Sequence, residues 1–450
     1  MHYNRSMRQL SSATSQRLVR AILGVVFVSH VALWTYGIAN PDATLRFDRA
    51  AYRLRAAQST AASQSVGELV EFTSAHTPVG DYMWQALVLW TSRGWVPAIA
   101  LVQLLAHAGA LVALYQLVIL WSGRRRVAAI AVVFYAVLPI DFIVPHFVAS
   151  EAFFNPLVIV ATLFLVRYER RTRATGDLAY AGLLYSLAAM TRTELLPWLA
   201  CMLALVIARL VRSEDRRTWM RRSAVVVLCT MSLQCIWVGG RALQGLPVAF
   251  GQGELTLAWH LADRSSVVEA RAHGGVPPAQ ACTTKGSPLV HFARTATVHP
   301  APFAREWFLQ AVKFLALPDN LDGLRYLGFF EFTGNRANLV HSHGWLGAAR
   351  LLFEEMPVLT SVLIASMALF GLFWLLVLRG LLEVRNARLQ LWLSWVLLSL
   401  PILFLAMRVV TQGESRKRSP VDFVLVAFAA LGTEALWRRR SGTQEPTLDA

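Results

Sequence analysis

Charged residues are scarce in this sequence. They make up 16% of its 450 residues, whereas hydrophobic residues make up 56%. Soluble domains carry about 25% charged residues, and the mean hydropathy here is +0.46. The composition therefore excludes an ordinary soluble protein and predicts an all-α polytopic membrane protein.

Cysteine is also rare, and no paired-cysteine motif is present. Of the four cysteines, Cys201, Cys229 and Cys235 fall in hydrophobic stretches, and only Cys282 lies in a long polar region. Neither a CxxC motif nor a Cys/His spacing typical of a metal site occurs. A disulfide framework is therefore not expected, and we interpret Cys282 as a small packed residue.

Acidic residues are outnumbered by basic ones, 27 against 43, which gives a formal net charge of +16. Such a charge could indicate a nucleic-acid partner. The basic residues, however, stand in short clusters between hydrophobic stretches, which is the pattern that orients membrane spans. We therefore expect no nucleic-acid partner and use the clusters to assign topology.

Ten hydrophobic stretches are candidate spans, since crossing a membrane takes roughly 20 apolar residues. The first stretch is longer than the apolar core of about 7–15 residues in a cleavable signal, so we expect it to be retained. The ten stretches are Ala21–Ile38, Val96–Trp121, Val127–Val144, Phe147–Val166, Leu178–Met190, Leu195–Ala208, Ala224–Val238, Val358–Leu378, Leu389–Ala406 and Val421–Leu436.

The short pair Leu178–Met190 and Leu195–Ala208 could instead be one kinked helix, which would reverse the topology after it. With ten spans and the N-terminus inside, more than half of the Lys and Arg residues lie in short inside segments. We therefore predict both termini on the cytoplasmic side of the membrane. The predicted regions are a cytoplasmic N-terminus at 1–20, an N-terminal transmembrane catalytic module at 21–238 with a first outside loop at 40–94, a large outside region at 239–357, C-terminal transmembrane helices at 358–437 and a cytoplasmic tail at 438–450.

The first outside loop concentrates acids in a chain that has few. Within it, Asp48 and Tyr52 are four residues apart, which places them on one face of a helix. A carboxylate just above the membrane could take a proton from an acceptor hydroxyl. It could also cap a helix or pair with Arg49 or Arg53. We select Asp48 as the candidate catalytic carboxylate and Tyr52 as a substrate-binding candidate.

Three further groups of ionisable residues fall on the same predicted outer side. Ionisable residues at the membrane rim are default candidates for a site. Asp141, His146 and Glu151 lie in one short link, although Ser150 with Glu151 could simply start a helix. Arg192 and Glu194 could be a self-compensating pair or an anion site.

The fourth group precedes the last span and contains Glu414, Arg416, Lys417 and Arg418. Adjacent cations on the outer side could bind a phosphate or merely contact lipid headgroups. Together the four groups predict an acid-lined, cation-rimmed outer site suited to a lipid-linked phosphate substrate.

An amphipathic helix is predicted at Pro302–Leu317 in the large outside region. An apolar stripe that includes Phe303, Trp307 and Phe308 opposes Arg305 and Glu306. Such a helix could lie in the membrane interface or pack on a small outside domain.

In order along the chain, these motifs resemble those of the GT-C superfamily of polytopic glycosyltransferases, from about residue 20 to 437. The nearest branch is the bacterial one of protein O-mannosyltransferase-like, aminoarabinose-transferase-like and lipopolysaccharide-core (Rgt-type) enzymes. The matching runs are Phe47–Tyr52, His76–Gly80, Ser150–Glu151, Thr191–Glu194, His299–Pro300 and Gly413–Pro420. Two residues depart from the family pattern: Arg49 replaces its second acid, and Lys417 replaces its usual tyrosine.

The resemblance implies inverting transfer of a sugar from a polyprenyl-phosphate donor to an envelope glycan, lipid or protein acceptor outside the membrane. It implies that Asp48 is the general base or orients the acceptor, and that Asp141 or Glu151 positions a sugar. Arg416, Arg418 and Arg192 would hold the departing lipid phosphate, with Tyr52, Glu194 and Glu414 as further binding candidates. The resemblance also implies a location in a bacterial inner membrane. No cofactor is certain. Some relatives bind a divalent metal through paired acids, and Arg49 leaves that metal open here.

Three rival functions remain open at this stage. An O-antigen ligase or polymerase-like enzyme would use residues of the large outside region, such as Arg336, His341 or His343. A secondary transporter would show inverted repeats and charges at the membrane midplane, and neither is visible in the sequence. Arg49 would also suit a GT-C scaffold that binds a lipid-linked glycan without catalysis.

Overall fold

In the computed structural model, the described part of the chain forms fifteen α-helices, two short 3-10 helices and one π-helical turn. The described residues are 2–45, 50–62, 79–192, 195–243, 245, 265, 268–269, 272–273, 288–316, 326, 347, 350, 353–354, 357–386, 391–407 and 419–441. Over these residues the structure is helical, without strands. The helices are α1 (His2–Ala39), α2 (Ala50–Ala62), α3 (Val79–Thr91), α4 (Pro97–Ser122), α5 (Arg125–Val137), α6 (Pro139–Ile143), α7 (Glu151–Arg167), α8 (Thr175–Thr191), α9 (Leu196–Ser213), α10 (Arg216–Leu243), α11 (Pro288–Val298), α12 (Pro300–Ala316), α13 (Pro357–Asn386), α14 (Leu391–Met407) and α15 (Ser419–Ser441).

Five of these helices contain segments long and apolar enough to cross a membrane: Arg17–Ala39, Pro97–Ser122, Glu151–Thr172, Arg216–Leu243 and Ile364–Val384. A sixth crossing results if the bent pair Arg125–Val137 and Pro139–His146 is one span. The all-helical class and the membrane-spanning character of the predicted fold are thereby confirmed, and the chain is an integral membrane protein by the length and composition of its helices. The predicted number of ten spans stays a prediction.

The predicted span Val127–Val144 is broken where the sequence reads Leu138-Pro139. Its two halves are bent by 67°, and Leu138 is extended, with φ −61° and ψ 126°. The cause is local, because the residue before a proline is disfavoured in the α conformation and proline lacks an N–H to continue the helix. The bend starts α6 in a new direction and places Asp141 inside the bundle, 2% exposed.

The segment at Leu178–Ala208 consists of two helices rather than one. Asp177 at the start of α8 pairs with Arg167 at 2.7 Å, and Arg209 near the end of α9 pairs with Glu169, also at 2.7 Å. Both contacts lie at the end of α7, so the start of α8 and the end of α9 share one end of the bundle. The chain therefore runs away along α8, turns near Arg192 and returns along α9.

The same end of the bundle collects most of the ion pairs that the structure describes. Arg124 pairs with Glu434 at 3.3 Å, and Arg438 pairs with Glu383 at 2.8 Å. The Arg170 guanidinium donates to the Trp121 carbonyl at 2.9 Å, which joins these pairs to those at the end of α7. The basic clusters around Arg124, Arg170, Arg209, Arg379 and Arg438 therefore share one end.

Two buried clusters hold the helices together. The larger joins α4, α5, α7, α8, α9, α10, α13, α14 and α15, and nearly every side chain of α15 from Val421 to Leu431 is buried in it. The smaller cluster joins α2, α3 and the segment around Phe147 to Tyr326 of the large outside region. The Tyr326 hydroxyl donates to the Leu33 carbonyl at 2.9 Å. The smaller cluster thus ties the two predicted outside regions to α1.

Candidate functional site

The structure describes four of the nine residues predicted for the site. Asp48, Glu194, Glu414, Arg416 and Arg418 lie outside the described residues, as do Arg49 and Lys417. Tyr52, Asp141, Glu151 and Arg192 are described. These four residues and the groups that they contact form the described part of the candidate site.

Asp141 is held by two hydrogen bonds from other helices. Its Oδ1 accepts from the Ser419 hydroxyl at 2.9 Å and from the Asn155 amide at 3.3 Å. The Asn155 amide also donates to the Ser419 hydroxyl oxygen. Ser419 is the first residue of α15 and directly follows the basic run in the sequence, so this network joins Asp141 to the start of α15.

A second carboxylate and a phenol face the same network. Asp422 is 0% exposed and stands one helical turn after Ser419. The Tyr135 hydroxyl faces Asp141 and Asn155, and Asp422 lies near enough to it to interact electrostatically. Two buried carboxylates therefore share one polar cluster, formed by α5, α6, α7 and α15.

Glu151 and Arg192 form a second polar contact beside the first. Their side chains meet at 2.7 Å and are 5% and 8% exposed. Glu151 also accepts from the Ser150 hydroxyl at 3.0 Å, and the Arg192 guanidinium lies over the Phe154 ring, 5.7 Å from its centre. The predicted partner of Arg192 within its own turn, Glu194, lies outside the described residues, and the contact seen is with Glu151.

A glycine of the predicted first outside loop packs against the end of α8, next to Arg192. Gly80, at the start of α3, lies against the backbone of the turn that carries Arg192. A Cβ at Gly80 would come within 2.7–2.9 Å of Met190 and Thr191 backbone atoms. Only a residue without a side chain allows this approach. Tyr52 is half-buried on α2, which packs against α3.

Asp141 and Glu151 line one cavity in the bundle. Its free volume is about 10 Å³, which is room for about one water molecule, and its lining residues are His107, Tyr135, Asp141, Val144, Pro145, Glu151, Ala152, Asn155 and Pro156. The cavity is therefore bounded by both carboxylates of the second sequence group and by neutral hydrogen-bonding side chains. Such an arrangement can orient hydroxyl groups, since carboxylates accept hydrogen bonds and the amide of Asn155 supplies both a donor and an acceptor.

Three histidines pack together on one side of this cavity. His30 Nδ1 and His146 Nε2 are 2.9 Å apart, and the ring centres of His30 and His107 are 5.6 Å apart. All three are buried among aromatic rings, including Phe142 at 4.5 Å from His30. His146, which could have been a ligand or a second base, thus lies in a packed cluster.

The described residues do not form a metal site. No group of three or more His, Cys, Asp or Glu side chains among them is arranged to hold a metal ion. Asp48, the acid proposed for the metal-binding position of the resemblance, lies outside the described residues.

Sequence reasoning missed Asn155, Tyr135 and Asp422 as members of the site. Asn155 follows Glu151 by four residues and so lies on the same helix face. Asp422 follows Ser419 by three residues at the start of a helix. An acid in the first turn of an apolar helix is a signal that could have identified Asp422. Tyr135 carries no comparable signal.

Comparison with known proteins yields a likeness of chain path only. No protein-family model matches this sequence, and no curated protein matches it. Three solved structures of the oligosaccharyltransferase of Archaeoglobus fulgidus are similar in outline. The apo form is 14% identical with a TM-score of 0.46, over 94% of this chain and 52% of that chain. The complex with an inhibitory peptide and a dolichol-phosphate is 13% identical with a TM-score of 0.42, over 87% and 48%, and the complex with Zn and sulfate is 14% identical with a TM-score of 0.42, over 81% and 41%.

This chain spans about half the length of the archaeal chains that it matches. At these identities and scores, no residue role or substrate is transferred from them. Functional assignment therefore rests on the residues of this chain.

Proposed function

We propose that this protein is a membrane glycosyltransferase that moves a sugar from a polyprenyl-phosphate donor to a lipid, glycan or protein acceptor on the outer face of a bacterial inner membrane. The supporting observation is the convergence of three separate sequence groups. Asp141 contacts Ser419 at the end of the basic run, and Glu151 contacts Arg192. Both carboxylates line one cavity, and Ser419 and Arg192, which are distant from them in the chain, hold them in place.

The basic run before α15 is the proposed phosphate site. Arg416 and Arg418 precede Ser419 by three residues and one residue, and the Ser419 hydroxyl is bonded to Asp141. Guanidinium groups suit phosphate oxygens because they offer several fixed donors. They would stabilise the negative charge that grows on the phosphate as the bond to the sugar breaks.

Arg192 has a different role in this proposal. Its guanidinium is already paired with Glu151 at 2.7 Å and is nearly buried, so it is poorly placed to take the phosphate as well. We assign it to holding Glu151, whose carboxylate lines the cavity and would accept hydrogen bonds from sugar hydroxyls.

The reaction is a single displacement at the anomeric carbon. The acceptor oxygen forms a bond to that carbon on the face opposite the phosphate, while the bond to the phosphate oxygen breaks and its electron pair leaves with the polyprenyl phosphate. The proton of the acceptor hydroxyl passes to Asp48, the proposed general base. Attack from the opposite face inverts the anomeric configuration.

The decisive experiment compares cell-envelope glycans by mass spectrometry in a deletion strain and in strains complemented with variants. The wild-type gene restores a glycan that the deletion strain lacks. Asp48→Asn should lower transfer by about 10²–10⁴-fold, the usual contribution of a general base. The matched control is Asp42→Asn, which changes an exposed acid of the same loop and should leave transfer unchanged.

Undiminished transfer by Asp48→Asn at normal protein levels would remove Asp48 from the mechanism. Loss of transfer on substitution of Arg336, His341 or His343, with Asp48→Asn active, would instead favour an O-antigen ligase or polymerase-like enzyme.

A further inference from the structure

Helices α11 and α12 each expose large apolar residues and bury one polar residue. On α12, Phe308 is 61% exposed and Trp307 is 37% exposed, whereas Glu306 is 4% exposed. On α11, Val290 and Val298 are exposed while Thr295 is 2% exposed. A helix facing water shows the opposite arrangement. The outer surroundings of this pair therefore favour apolar side chains.

The two helices form one hairpin. The rings of Phe292 and Phe303 meet edge to face with their centres 5.3 Å apart. The Thr295 hydroxyl donates to Glu269 at 3.0 Å, so the polar side of α11 is bonded within the protein. The exposed apolar face is consequently not a frayed end but one side of a packed unit.

The hairpin is attached to a membrane helix and carries exposed cations. Helix α12 contacts α13, whose residues Ile364–Val384 form one of the five long apolar segments. Arg294 on α11 and Arg305 on α12 are exposed. Exposed aromatics and arginines beside a membrane span are the features of a helix lying in the headgroup region.

We infer that the α11–α12 hairpin lies in the membrane interface, with Val290, Val298, Trp307 and Phe308 inserted among lipid chains and with Arg294 and Arg305 at anionic headgroups. Of the two alternatives open for the amphipathic stretch, this is the interfacial one. A second copy of the chain would also cover an apolar face, but it would give no reason for cations beside that face or for its attachment to a membrane helix. This inference does not depend on the proposed enzymatic function.

Photocrosslinking in lipid nanodiscs tests the inference with the full-length protein. Phe308 is replaced by the photoreactive residue benzoylphenylalanine, and the protein is reconstituted in a mixture of phosphatidylglycerol and phosphatidylcholine. The positive control places the same residue at Leu372 on α13, which is 54% exposed. The negative control places it at Arg350, whose side chain is 81% exposed and pairs with Glu354.

We expect lipid adducts at position 308 at a level similar to that at 372, with none at 350, as detected by mass spectrometry. A crosslinked dimer at 308 would overturn the inference in favour of an interface between copies. Neither adduct at 308, with lipid adducts at 372, would show that the hairpin faces water and would overturn it as well.

The headgroup preference provides a second measurement. An arginine near an anionic surface favours binding by roughly fivefold. The double variant Arg294→Gln/Arg305→Gln should therefore reduce the preference of the 308 adduct for phosphatidylglycerol over phosphatidylcholine by at least several-fold. An unchanged preference would overturn the claim that the two arginines contact anionic headgroups. The position of the apolar face is tested separately by the lipid adduct at position 308.

Discussion

Glu151 and Arg192 meet at 2.7 Å although their side chains are only 5% and 8% exposed. Glu151 is the first residue of α7 and Arg192 directly follows α8, so the contact joins the adjacent ends of two helices that lie side by side. A charge buried without its partner is strongly destabilising. The pair therefore holds Glu151 in the wall of the cavity. Removal of either side chain would leave the other as a buried charge without its counterion.

The first prediction concerns this dependence. Glu151→Gln or Arg192→Met alone should destabilise the protein by about 3–5 kcal/mol, because each leaves an uncompensated buried charge. The double variant Glu151→Gln/Arg192→Met should lose much less than the sum of the two single losses. The protein is purified in detergent and heated, and size-exclusion chromatography measures the fraction that remains folded at each temperature. Additive losses would contradict a direct pairing.

The second prediction concerns the hydroxyl that bonds Asp141. Ser419→Ala removes a donor to Oδ1 and should cost about 1.5–3 kcal/mol, the usual range for hydrogen bonds to charged groups. Under the proposed function it should also lower glycan transfer, since the displaced carboxylate lines the cavity. Ser361→Ala is the matched control, because its hydroxyl is exposed and bonds only its own helix at the Pro357 carbonyl. Equal stability of the two variants would argue against the Ser419–Asp141 contact.

These two cases show how much of the site the sequence could predict. Asp141, Glu151 and Arg192 were identifiable because ionisable residues are conspicuous in apolar surroundings. That Arg192 would pair with Glu151 was not identifiable, since the two are far apart in the chain and meet only through the packing of α7 on α8. Asn155 and Tyr135 were missed because neutral polar residues are common inside helices and gain a role only from their neighbours.

For the fold, the membrane character and the helical class followed directly from composition. The bend before Pro139 was readable from Leu138-Pro139, yet the stretch Val127–Val144 was predicted as one span because hydropathy averages over the break. The direction of α9 was predicted from charge and agrees with the contact of Arg209 with Glu169.

The third prediction concerns the glycine that contacts the Arg192 turn. Gly80→Ala should destabilise the protein, because the added Cβ would lie within 2.7–2.9 Å of backbone atoms that cannot rotate away. We expect a loss of about 1–3 kcal/mol, as for other overpacked sites. Gly109→Ala on α4 is the control, since nothing lies within 4 Å of its added Cβ. It should be neutral or slightly stabilising. Equal melting temperatures for the two variants would contradict the close approach of α3 to the turn.

The fourth prediction concerns the crossing of α13 and α15. A Cβ on Gly380 would collide with the Phe428 carbonyl, and one on Gly432 would meet the Leu376 carbonyl. Small residues at such a crossing let two membrane helices approach closely. Gly380→Ala should therefore lower the melting temperature, while Gly371→Ala on the same helix, with open space around its Cβ, should not. A drop of equal size in both variants would attribute the effect to helix α13 alone rather than to its contact with α15.

The last prediction concerns which end of the bundle faces the cytoplasm. The structure brings the basic clusters to one end, and their side of the membrane follows from the rule that short cytoplasmic loops are rich in Lys and Arg. Arg93 and Arg171 are exposed residues in links at opposite ends. In a variant with all four native cysteines replaced, a cysteine at position 93 should react with a membrane-impermeant maleimide in intact cells whose outer membrane has been permeabilised. A cysteine at position 171 should react only after the inner membrane is opened. The reverse pattern would show that the protein has the opposite orientation in the membrane. The cavity lined by Asp141 and Glu151 would then lie on the cytoplasmic side, where the proposed transfer to an outer acceptor could not occur.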